Sequence, residues 1–173
     1  MTTIVGIDPG ASGGIAIYKN GHATGIKMPV GTQDINTYLS YIRESNDDVI
    51  VFLEKVNSYR SDKDDPGKNF GIEKLLANYQ ELKTLLSTNN LPYCTVPPIT
   101  WQTTLGLYMK DTIKSVRKQH YKKHSQKKYP EIKVTLALAD ALCLVSFATL
   151  KMLDDPYWIE DRIIKPKKRA LFK

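Results

Sequence analysis

Three acidic residues stand where acids are costly. Asp8 closes an apolar run from Thr3 to Ile7. Glu54 closes another, from Val49 to Leu53. Asp140 lies inside an apolar stretch, among Ala137, Ala139, Ala141, Cys143 and Leu144. A buried carboxylate needs a cation, a set of backbone N–H donors or a metal. No Lys, Arg or His lies within one helical turn of Asp140 in sequence. One divalent cation shared by Asp8, Glu54 and Asp140 would relieve all three. Mg²⁺ prefers oxygen ligands and Mn²⁺ can substitute for it. Two such ions about 4 Å apart can activate a water and stabilise the leaving oxygen at a phosphodiester. Plain structural explanations compete: Asp8, before Pro9-Gly10, as a turn former, and Glu54 as an exposed strand end. Asp140, with its core-like neighbours, is the hardest to explain that way.

These acids need rigid supports, and the hydrophobic pattern supplies them. Thr3 to Asp8 reads as a buried strand. Gly13 to Tyr18 and His22 to Lys27 flank Lys19-Asn20-Gly21, and Asn-Gly between two β-like runs signals a hairpin. The chain should therefore open with three antiparallel strands. Asp34 can cap a helix whose apolar face is Ile35, Tyr38, Leu39 and Ile42. Val49 to Leu53 is a further strand. Asn57 to Lys68, polar and containing Pro66-Gly67, reads as a loop. Ile72, Leu75, Leu76, Tyr79, Leu82 and Leu86 mark a second amphipathic helix. Tyr93 to Val96 is a short strand stopped by Pro97-Pro98, with a short helix around Trp101. Asp111 to Lys123 is expected to be helical, anchored by Ile113 and Val116. Val134 to Leu150 is apolar on nearly all sides, hence a buried helix, stopped at Asp155-Pro156. The order βββαβαβ followed by helices predicts an α/β fold with a mixed sheet.

The net charge of +7 is unevenly spread. Lys110 to Lys128 holds eight Lys/Arg and one Asp, and Arg162 to Lys173 holds six Lys/Arg and no acid, leaving −6 on the remainder. An acidic body with two basic segments suits a polyanionic partner; a solvated helix face with a basic tail is the competing explanation. Trp101 and Trp158 read as packing residues. No run of about 18 apolar residues suggests a membrane span, and MTTIVGID at the start lacks the pattern of a secretory signal. Cys94 and Cys143 form no Cys-x-x-Cys pair, so no zinc site or disulfide framework is expected, and a reducing cytoplasm fits.

Taken in order, Gly6-Ile7-Asp8-Pro9-Gly10 with Ser12-Gly13-Gly14, Phe52-Leu53-Glu54-Lys55-Val56, Val96-Pro97-Pro98 with Trp101-Gln102, Lys114-Ser115, Tyr129-Pro130 and Ala139-Asp140-Ala141-Leu142 resemble the RuvC-type Holliday junction resolvases of bacteria and phages. The resemblance runs from about Ile4 to Leu150. It implies an RNase H-like fold, with a five-stranded mixed sheet flanked by helices. It also implies a homodimer and paired incisions across a four-way DNA junction. Asp8, Glu54 and Asp140 fall on three metal-binding acids of that family, and Lys114 on a lysine near the scissile phosphate. The family's fourth acid or histidine would fall at Ala137 or Leu136, so either three carboxylates suffice, or Glu131 swings in, or metal binding is weakened. The junction-wedging aromatic would fall at Asn57, with Tyr59 as its substitute.

These readings divide the chain into a nuclease domain, residues 1–155, and a basic C-terminal tail, 156–173. Asp8, Glu54, Asp140 and Lys114 are the expected catalytic residues. Tyr59, Arg60, Lys110, Arg117, Lys118, Lys122, Lys123, Lys127 and Lys128 are the expected DNA contacts. The alternatives are a non-catalytic or weakly catalytic junction-binding protein of the same fold and an RNase H-type hybrid nuclease.

Overall fold

The structure, a computed structural model, describes residues 2–57 and 66–166, with side chains described outside 66–69. Its first three strands, β1 (Thr3–Asp8), β2 (Gly14–Lys19) and β3 (His22–Lys27), form the expected antiparallel meander. Asn20 and Gly21 turn the β2–β3 hairpin with φ of 52° and 87°. These positive values are those of the two-residue turn that Asn-Gly favours. Helix α1 (Thr32–Glu44) buries Ile35, Leu39 and Ile42. Its N-cap is Gly31; Asp34 lies in the first turn instead of capping it, where its charge still favours the positive helix end. Strand β4 (Val49–Glu54) follows.

Helix α2 (Pro66–Thr88) begins earlier than expected, with Pro66-Gly67 inside the helix instead of in the preceding loop. Proline lacks only an N–H that the first helical turn would leave unbonded. Strand β5 (Tyr93–Val96) and helix α3 (Pro98–Thr104) match the sequence reading. The sheet order is β3-β2-β1-β4-β5, with β4 parallel to both β1 and β5. The expected mixed sheet of five strands is thus present, with helices on both faces.

Alternation along the central strands divides the core. Val5, Ile7, Val51 and Leu53 face α1 and α2, whereas Ile4, Ile50 and Phe52 face the later helices. Those are α4 (Lys114–Lys128), α5 (Leu136–Asp154) and α6 (Pro156–Glu160). Helix α5 has the length and composition to cross a membrane, but it is the central core helix. It packs on β1, β2 and β4 and buries every residue from Leu138 to Ala148.

Helix α4 departs from the sequence reading. Ile113 and Val116, the expected anchors, are 68% and 46% exposed. The buried residues are Tyr121 and Ser125. Polar contacts dock this helix: Ser125 Oγ donates to the Ala139 carbonyl at 3.1 Å, and the Tyr129 and Ser146 hydroxyls meet at 3.0 Å. Gln126 clamps the loop into α5, donating to the Ile132 carbonyl and accepting from the Val134 N–H. Satisfied buried polar groups of this kind fix one arrangement of a contact, and they leave no apolar periodicity to read.

The chain beyond α5 also packs. Trp158 meets Phe147 edge-on at 5.2 Å, and Ile164 exchanges backbone hydrogen bonds with Tyr93.

Candidate metal centre

The parity that sorts the core also aims the acids. Asp8 is in step with Ile4 and Gly6, and Glu54 with Ile50 and Phe52, so both project towards α5. Parallel pairing sets Ile7 beside Leu53, which brings the next residues, Asp8 and Glu54, side by side at the strand ends. Helix α5 comes close to the sheet because glycines line its path. A Cβ on Gly6 would overlap the Ala141 carbonyl, and one on Gly14 would lie 2.7 Å from the Ala137 carbonyl. Asp140 lies between these two contact points on α5 and so reaches the strand ends. One oxygen from each of Asp8, Glu54 and Asp140 lies within 4.8 Å of the others.

The electrostatics record the crowding. Burial, and then the Asp140 charge, push Asp8 up to about 6. Burial, with Asp8 and Asp140 beside it, pushes Glu54 up to about 8. Asp140 is also raised by burial, against the pull of Lys118. The Lys118 ammonium bridges the two aspartates, 2.7 Å from Asp140 Oδ2 and 3.2 Å from Asp8 Oδ2. Burial opposes its charge, but the two carboxylates outweigh it and hold Lys118 protonated. Glu54 instead accepts a hydrogen bond from Trp101 Nε1 at 2.9 Å. One ammonium faces three carboxylates, and Asp140 Oδ1 is buried without a partner among the described residues. An all-oxygen donor set with surplus negative charge and an unsatisfied oxygen suits a hard divalent cation such as Mg²⁺.

Other expected residues distribute unevenly. Lys114, in the first turn of α4, is exposed, yet its charge lowers both Asp8 and Asp140. Lys118, read from sequence as a DNA contact, is the lysine in the cluster. Arg117 is half-buried and also lowers Asp140. Lys110 lies exposed in the turn before α4, and Lys122, Lys123, Lys127 and Lys128 follow along the helix, with Lys128 over the Tyr129 ring. Tyr59 and Arg60 lie outside the described residues. Glu131 does not join the centre: it accepts from the Ala23 N–H at the opposite end of the sheet. Two roles at the centre escaped the sequence reading. Trp101 packs as expected but also orients Glu54, a role hinted at by its place just after the Pro97-Pro98 stop. The pairing of Lys118 with the acids gave no signal, because it is 22 residues from Asp140.

No family model and no curated protein matches the chain. Solved structures do. Thermus thermophilus RuvC in complex with a Holliday junction substrate superposes with a TM-score of 0.56 at 13% identity, covering 88% of this chain and 95% of that one. A second Thermus thermophilus RuvC structure gives 0.51 at 14% identity, covering 96% of this chain and all of that one.

The fold is that of RuvC. It is an RNase H-like arrangement, as the sequence resemblance implies, and it spans nearly the whole length of the RuvC chains it matches. Within this RuvC fold, the carboxylate cluster occupies the ends of β1 and β4 beneath α5, with the basic helix α4 leading away from it.

Proposed function

We propose that this chain is a metal-dependent endonuclease that cuts phosphodiester bonds in branched DNA, with the four-way junction as its substrate. The observation that carries the reading is the convergence of Asp8, Glu54 and Asp140 within 4.8 Å. Their mutual repulsion favours a divalent cation among them. The RuvC fold, and a RuvC solved with a Holliday junction, support the choice of substrate.

Asp8, Glu54 and Asp140 would hold Mg²⁺ or Mn²⁺, which when bound supplies Lewis acidity and an activated water at the phosphodiester. Trp101 fixes the Glu54 carboxylate from behind. Lys114 and Arg117, on the turns of α4 nearest the cluster, would receive the scissile strand. Lys110, Lys122, Lys123, Lys127 and Lys128 would hold neighbouring phosphates, where contacts position the duplex without reading sequence. A homodimer would present two such centres for paired incisions. Buried, unpaired Cys94 and Cys143 agree with action in the cytoplasm.

The test is cleavage of a synthetic four-way junction, a fork and a linear duplex in Mg²⁺ and in Mn²⁺. Asp140→Asn should lower junction cutting by at least about 100-fold and leave binding nearly unchanged. Unaltered cutting by this variant would remove the assigned centre. The Ala137 and Leu136 positions, with Lys118 inserted among the acids, favour a second reading, a junction-binding protein without catalysis. Tight binding with no cutting in either metal would support that instead. Preference for an RNA–DNA duplex would indicate a hybrid nuclease.

A further inference from the structure

We propose that the centre takes one divalent ion per chain, and that the Lys118 ammonium stands in the place of a second. The inference rests on the metal-dependent reading above and concerns only how positive charge is divided within the site.

Three observations lead to it. First, the donor set is short: three carboxylates converge, and Leu136 and Ala137, one turn before Asp140 on α5, offer no oxygen or nitrogen side-chain donor. Mg²⁺ is held by one or two carboxylates and completes its octahedron with water, so three carboxylates hold one ion firmly and leave a second, about 4 Å away, with few protein ligands of its own. Second, Lys118 Nζ bridges Asp8 and Asp140 at 3.2 and 2.7 Å, as a shared cation would. Third, Lys118 leaves part of the donor set for a divalent ion. Asp140 Oδ1 has no partner among the described residues, and Glu54 is held by Trp101 instead of Lys118.

The helix that carries the lysine is fixed in place. Ser125, about two turns further along α4, is fully buried and bonded to the Ala139 carbonyl beside Asp140. Tyr121, one turn on, packs edge-on against Trp101 at 4.9 Å. Side chains at 118, 121 and 125 share one helix face, so the contacts that dock α4 also deliver the ammonium to the cluster. There it neutralises part of the carboxylate charge and offers N–H donors to a phosphate oxygen without demanding an octahedral shell. Lysine keeps its charge on a flexible stem, which lets the head follow a phosphate as it arrives.

The experiment counts Mn²⁺ bound to the intact, DNA-free chain, from the loss of the free-ion EPR signal. The wild type should bind one Mn²⁺ per chain. Lys118→Met should bind Mn²⁺ about tenfold more tightly or more, or take up a second ion. Lys118→Arg, which keeps the charge, should retain a single ion. Two ions in the wild type would overturn the inference and leave the metal-dependent reading intact. No ion in either wild type or Lys118→Met would overturn both. An ion bound by the Met variant alone, or identical binding by wild type and Met variant, would also overturn the inference. If Lys118→Met does not fold, the wild-type count decides.

Discussion

Glu54, pushed up to about 8 by burial and by its acidic neighbours, and Asp8, pushed up to about 6, both hold their protons more tightly in the folded chain than in the unfolded one. The folded state therefore binds more protons across this range, and stability must fall as pH rises through it. In chelator, the melting temperature is expected to drop by at least about 4 °C between about pH 5 and pH 8. Mg²⁺ favours the ionised carboxylates and should restore stability most at the upper end. Glu54→Gln should flatten the decline. A melting temperature that climbs with pH in chelator would contradict this account. At the same scale, the acids were legible and their basic partner was not. Asp8 and Glu54 end apolar runs and Asp140 interrupts one, a local signal that survives without the fold. Lys118 is one lysine among many on α4, and only the docking of α4 on α5 sets it apart.

Elements were legible where their stability is local. Asn20-Gly21 marks a turn by backbone preference alone, and α5 is apolar on most sides because it is surrounded. Helix α4 was misread for the converse reason: its inward face is Lys118, Tyr121 and Ser125, and its apolar Ile113 and Val116 point outward. The start of α2 was placed too late because Pro-Gly breaks helices in their interior but not at their first turn. The glycine track beneath α5 joins element packing to chemistry. Gly6→Ala or Gly14→Ala would push a methyl group into an α5 carbonyl and should cost about 1–3 kcal/mol each in urea unfolding. Both variants should also bind Mn²⁺ more weakly, because lifting α5 withdraws Asp140 from Asp8 and Glu54. Lost stability with undiminished Mn²⁺ affinity would show that the height of α5 does not set the centre.

For the whole molecule, charge is partitioned by place. The −6 left on the body includes the carboxylate cluster, while α4 carries a line of cations that begins at the cluster and runs 15 residues. Each phosphate it neutralises releases counterions and adds about 0.9 to the slope of log affinity against log salt. Replacing Lys122, Lys123, Lys127 and Lys128 with Gln should reduce that slope for junction DNA by about 3 to 4. An unchanged slope would place the DNA on another face. The RuvC fold itself persists at 13% identity. The alternation of the strands and the burial of one long helix can therefore be met by very different sequences.

The hairpin offers a vantage point on the centre. His22 is exposed at the far end of the β2–β3 pair, about 17 Å along the strands from the end that carries Asp8. Both native thiols are buried, so His22→Cys would create the one surface thiol open to a nitroxide label. Paramagnetic Mn²⁺ entering the acidic cluster would then broaden the label's spectrum from a distance. Loading of the site could be followed, ion by ion, without disturbing a single ligand.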